Sequence, residues 1–161
     1  MILSARSFLP RGADRFRALS RLDSPRDYRL ILRIFLYAVA VPALTRTVLT
    51  SWGRFAGDIG AGRLDARPGS VQKTVDYVDA VLVAFRPVVR PGCLVRGLTL
   101  YHFLRRAGAD VGLNFGVARI DGRFTGHCWL VKNGRPFLEP DRPDLLYTET
   151  FHLPTVGGTR A

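Results

Sequence analysis

The chain has 161 residues, 47% of them apolar and 23% charged, a balance that excludes a disordered or fibrous protein and suffices for one domain with a buried core. Two cysteines, Cys93 and Cys128, are too few for a secreted disulfide framework and fit a reducing cytoplasm. The net charge of +11 is carried almost wholly by arginine and leans towards residues 1–69, but there is no long basic block and no RNA-recognition or zinc-finger spacing, so no nucleic-acid partner is expected.

Residues 1–12 lack the apolar core of an export signal. Phe16, Leu19 and Leu22 then recur at helical spacing within 14–22. Ser24 is a good N-cap, Pro25 suits the first helical position, and Asp27 brings negative charge to the positive end of a helix predicted over 25–41. The eleven apolar-rich residues Ile34–Leu44 fall short of the roughly 20 that span a bilayer, so they read as a buried helix; contact with a membrane surface stays open. Pro42 is expected to end or kink the helix, with Leu44, Val48, Leu49, Trp52 and Phe55 forming a second stripe. Gly57, Gly60, Gly62, Pro68 and Gly69 make a flexible link, which divides the chain into a helical region over 1–69 and a core over 70–161.

Ser70 is expected to cap a helix carrying Val71, Val75, Val78, Leu82 and Phe85, stopped by Pro87. Pro91-Gly92-Cys93 opens another, with Leu94, Leu98, Tyr101 and Leu104 on one face, Arg105 and Arg106 in the last turn, and Gly108 as the stop. Val111, Leu113, Phe115 and Val117 alternate with smaller or polar residues and read as a strand. Asp121-Gly122 is a turn, 124–131 a second strand, Asn133-Gly134 another turn and 135–139 a third strand. Helices followed by an antiparallel meander define an α+β fold.

A helix that begins with a cysteine, followed by strands that present a histidine and then a carboxylate, holds the parts for thiol catalysis. Cys93 is the candidate nucleophile, because unpartnered N–H groups and the helix dipole stabilise a thiolate at a helix start. His127 is the candidate base; alternation puts it on one strand face with Trp129 and turns Cys128 to the other. Whether Glu139 can orient the imidazole depends on the second hairpin. A two-residue loop at Asn133-Gly134 would pair 132 with 135 and 127 with 140, turning Glu139 away from His127. A three-residue loop starting at Lys132 would pair 127 directly with 139, and this register is the one expected, with Asp141 as reserve acceptor. His102 lies nine positions after Cys93, half a turn round the helix from the thiol, and does not suit the role of base. With no Cys-x-x-Cys or His-x-x-x-His clamp, neither a metal nor a cofactor is expected. The Cys93 N–H is one candidate oxyanion donor and Gln72 a weaker second; His152 has no recognisable context.

Cys93-Leu94-Val95-Arg96-Gly97-Leu98, the following strand, Gly126-His127-Cys128-Trp129 and Glu139 resemble the transglutaminase-like superfamily, and within it the leader peptidases of lasso-peptide biosynthesis, over roughly residues 70–140. The resemblance implies a papain-like or transglutaminase-like core of N-terminal helices, a cysteine-bearing helix and an antiparallel sheet. It assigns the thiol role to Cys93, the histidine role to His127 and the orienting role to Glu139. It also implies cytoplasmic removal of a leader from a ribosomally made precursor peptide, alongside a separate leader-recognition protein and a macrolactam-forming cyclase. Two positions depart from the pattern: Cys128 stands where a small residue is usual, and Glu139 where aspartate is usual. The same acyl-enzyme resolved by an amine would give transglutaminase-type transfer, and a chain keeping the fold without the chemistry would be a peptide-binding scaffold.

Overall fold

The computed structural model describes residues 24–48, 70–86, 88–89, 92–139 and 141–153. Three helices come first: α1 (Pro25–Val48), α2 (Ser70–Ala84) and α3 (Cys93–Arg106). Strands β1 (Gly112–Ile120), β2 (Arg123–Lys132) and β3 (Arg135–Phe137), the single turn α4 (Pro143–Leu146) and strand β4 (Thr148–Leu153) complete an α+β fold. The sheet is antiparallel in the order β3-β2-β1-β4. The helix predicted over 14–22, the glycine-rich link and the stripe residues Leu49, Trp52 and Phe55 lie outside the described residues.

Ser24 caps α1 as expected, accepting the Arg26 amide at 3.3 Å. Ile34, Ala38 and Val41 then bury one stripe. Asp27 is buried too, and pairs with Lys73 at 2.8 Å, tying the start of α1 to α2. Pro42 does not end the helix, which runs on to Val48. Pro42 is exposed while the buried stripe of Ile34, Ala38 and Val41 holds the axis, so packing outweighs the lost backbone bond. Ser70 is the first helical residue of α2 rather than a side-chain cap: its carbonyl accepts the Thr74 hydroxyl at 2.7 Å, and its own hydroxyl makes no hydrogen bond.

Helix α3 was expected to bury one face, but it is enclosed nearly all round, with Val95, Leu98, Leu100, Tyr101, Phe103 and Leu104 all in the core. It packs against α1 and α2 on one side and against β1 and β2 on the other. Each fully buried leucine contributes about 1.5–3 kcal/mol. The helix stops as the sequence predicts: Gly108 adopts φ +84°, its amide donates to Arg105, and the Ala109 amide donates to Leu104, a Schellman arrangement.

Asp121-Gly122 closes the first hairpin with φ +50° and +76°, pairing Ile120 with Arg123. The second hairpin overturns the expected register. Asn133 and Gly134 adopt φ +52° and +72°, and Lys132 pairs with Arg135, so the loop has two residues rather than three. An Asn-Gly pair favours this mirror-image turn because its twist matches that of the flanking strands. The third strand is also shorter than predicted: it ends at Phe137, because Leu138 enters the left-handed region at φ +61°. Strand β4, which was not foreseen, pairs with β1 through a register shift at Phe115/Gly116. Among the described residues no helix is long and apolar enough to cross a membrane.

Candidate active site

Cys93 is the first residue of α3, behind an N-cap, Gly92, that offers no side-chain hydrogen bond. The first-turn amides are therefore not claimed by a capping side chain, and among the described residues a Cβ at Gly92 would meet nothing within 4 Å. The helix start thus presents a half-buried sulfur where positive dipole charge is concentrated.

His127 sits on β2 opposite Gly116 of β1. Trp129, two residues on, stacks with it at 6.1 Å between ring centroids, as strand alternation predicts. Tyr147, just after α4, covers the imidazole at 5.1 Å. Gly116 makes room for this aromatic floor, since a Cβ there would fall 2.8 Å from the Thr148 carbonyl and 2.9 Å from the Trp129 ring.

Glu139 lies beside His127, with Oε2 3.9 Å from Nε2. The observed two-residue hairpin would by itself point Glu139 to the wrong face. Leu138 resolves the conflict: its positive φ breaks the strand alternation one residue early and turns the carboxylate back. Arg96, one helical turn after Cys93, faces the other carboxylate oxygen, with Nη1 3.8 Å from Oε1.

Two thiols meet at this site. The Cys128 thiol and backbone amide and the His127 ring lie close enough to the Cys93 sulfur to favour its ionised form. The early end of β3, whose ladder with β2 stops at Leu130 and Phe137, leaves the Cys128 amide for that contact. Together these groups, the Cys128 thiol foremost and His127 next, hold the Cys93 thiol down to about 4 against the opposing effect of burial. Cys128 is pushed the other way, well above its ordinary value, by donating to Cys93 and by burial. Cys93 is therefore the thiolate and Cys128 its donor. Burial raises Glu139 to about 7, while Arg96 and His127 pull it back towards the charged form.

Sequence reasoning placed Cys93, His127 and Glu139 at one site, and the structure brings them together. Asp141 is exposed and touches the site only through its charge, which raises Glu139 slightly. Gln72 donates to Asp76 at 2.9 Å on the exposed side of α2 and takes no part. His102 stacks on Tyr37 at 4.5 Å between α1 and α3, and burial holds it down to about 4. His152 is exposed on β4, 3.5 Å from Glu149. Among the described residues no group of three or more His, Cys, Asp or Glu is placed to hold a metal.

The sequence reading missed Arg96, its partner Asp79, Tyr147 and the contact made by Cys128. An available signal for the ion pair was Asp79 itself, an acid beside Val78 in the apolar stripe of α2.

The family model of the transglutaminase-like superfamily matches residues 37–152, and the chain belongs to that superfamily. Comparison with curated proteins and with solved structures returns no match. Membership indicates activity of the cysteine-protease or acyl-transfer type.

Proposed function

We propose that the protein is a cysteine peptidase that removes the leader from a ribosomally made precursor peptide. Cys93, His127 and Glu139 act as its catalytic residues. The observation that carries this reading is the placement of Cys93 at the start of α3 beside His127, with Oε2 of Glu139 3.9 Å from Nε2 of the ring.

The Cys93 thiolate attacks the scissile carbonyl carbon, and charge gathers on the carbonyl oxygen near the first amides of α3. With Nε2 turned to Glu139, Nδ1 of His127 holds the thiol proton and passes it to the leaving amine as the carbon–nitrogen bond breaks. A water, deprotonated by the same imidazole, then attacks the thioester, releases the acid and regenerates the thiolate. Glu139 keeps the ring oriented and stabilises the imidazolium.

The resemblance of Cys93–Leu98 and Gly126–Trp129 to lasso-peptide leader peptidases supports the substrate class. A separate leader-recognition protein, a macrolactam-forming cyclase and a cytoplasmic setting follow from the same resemblance. The division at residue 69 is also kept as a proposal, with the helical region preceding the catalytic core.

Cys93→Ala tests the reading. Precursor cleavage should be lost while the circular dichroism spectrum stays that of the native fold, and undiminished cleavage would remove the proposal. Product masses with and without an added amine separate hydrolysis from amine transfer.

A further inference from the structure

Behind the three residues at the reacting end lies a second ionic arrangement. Asp79 of α2 accepts two parallel bonds from Arg96 of α3, Nε to Oδ1 at 2.9 Å and Nη2 to Oδ2 at 3.2 Å. This leaves Nη1 facing Glu139 at 3.8 Å, while the other oxygen of Glu139 faces His127 at 3.9 Å. All three charged side chains are shielded, Arg96 being 11% exposed and Asp79 and Glu139 5% each.

We propose that Arg96, clamped by Asp79, is a positioning residue for the site: it offsets part of what burial does to Glu139 and directs one oxygen towards His127. The inference rests on the catalytic reading above and adds to it the residues that make its acceptor work.

The physical case starts from burial. A shielded carboxyl tends to take up a proton, and a neutral carboxyl cannot stabilise an imidazolium. Arg96 and Cys93 from α3, His127 and Cys128 from β2 and Asp141 from its own loop all interact with Glu139. The two anions, Cys93 as thiolate and Asp141, raise it as burial does; only Arg96 and His127 oppose them, with Arg96 the stronger. The fork geometry supplies direction as well as charge, because a guanidinium fixed on two sides by Asp79 has one remaining edge to present. Arg96 also lies three residues after Cys93 on one rigid helix, so sulfur and guanidinium are held in a fixed relation.

The test is the titration of Glu139, followed through its side-chain carboxyl carbon resonance in the labelled full chain. Arg96→Gln alone would leave Asp79 buried without a partner, so the decisive variant is Asp79→Asn/Arg96→Gln, which removes both charges. Its Glu139 midpoint should rise by about one unit or more, whereas Arg96→Lys should stay nearer the native midpoint. An unmoved midpoint in the folded double variant, or a lysine variant no nearer native than the double one, overturns the proposal. The titration needs no turnover, so an inert Cys93 would remove the catalytic reading while leaving the placement of Glu139 by Arg96 standing.

Discussion

Cys128→Ala puts a number on the contact between the two sulfurs. The Cys128 thiol is the foremost of the groups holding Cys93 at about 4. A hydrogen bond to an ionised group contributes about 1.5–3 kcal/mol, and one pH unit corresponds to about 1.4 kcal/mol, so its loss should raise the Cys93 midpoint by about 1–2 units. His127 and the Cys128 amide survive the substitution, and the midpoint should remain far below the ordinary 9.0. At pH 7 Cys93 would still be almost wholly thiolate, and its alkylation by iodoacetamide should match the native rate. At pH 5 the rate should fall by about two- to tenfold, from the fraction ionised alone. The void left by the sulfur should cost about 1 kcal/mol of stability, so the comparison is made well below the unfolding midpoint. An alkylation profile that does not shift would mean that Cys128 only fills space, and the reasoning about the paired thiols would fail.

Stability should depend on pH through three groups, two of one sign and one of the other. Cys93 is lowered from 9.0 to about 4, so between those values the unfolded chain binds more protons and stability rises with pH. Glu139 is raised from 4.5 to about 7, so in that interval the folded chain binds more protons and stability falls with pH. His102 is lowered from 6.5 to about 4, so it adds a second rising slope that offsets Glu139 from 4.5 to 6.5; above 7 Cys93 acts alone and adds at most about 1.4 kcal/mol per unit up to 9. In Cys93→Ala, His102 and Glu139 should nearly cancel from pH 5 to 6.5 and the climb in denaturant midpoint between pH 7 and 8.5 should vanish; an unchanged profile would refute the assignment. Gly116→Ala should destabilise by about 1–3 kcal/mol in equilibrium unfolding, since its methyl would meet a backbone oxygen and the rigid Trp129 ring; a neutral result would contradict that packing. Gly134→Ala meets no neighbour within 4 Å, and its φ of +72° should alone cost about 1–2 kcal/mol, so a stability equal to native would argue against the two-residue turn.

The helices were legible because their apolar spacing and stop signals are local: Ser24 and Gly108 act where the sequence places them. Pro42 misled because its effect is decided by packing around α1, which one segment does not reveal. The site residues were legible as residue types in order, but the route to Glu139 was not. The expected three-residue loop and the observed two-residue loop with a left-handed Leu138 both bring the carboxylate to His127, by different backbone paths. A leucine with positive φ has no sequence signal, since its own preference opposes it. Strand β4 and Tyr147 were missed because Thr148–Leu153 lacks clean alternation: all its residues but Leu153 are exposed. Arg96 stood within the recognised motif, yet its partners come from 17 residues earlier and 43 later, a proximity that only the fold creates.

Where α3 crosses β2, a Cβ on Gly97 would lie 3.0 Å from the Cys128 sulfur and 3.1 Å from Leu113, so the layers interlock with almost no slack. The nucleophile belongs to the helical layer and the imidazole to the sheet, and the working pair exists only across that seam. Sulfur chemistry therefore gauges docking: mild heat or denaturant that parts the layers by an ångström silences Cys93 while helices and strands still give their full far-ultraviolet signal.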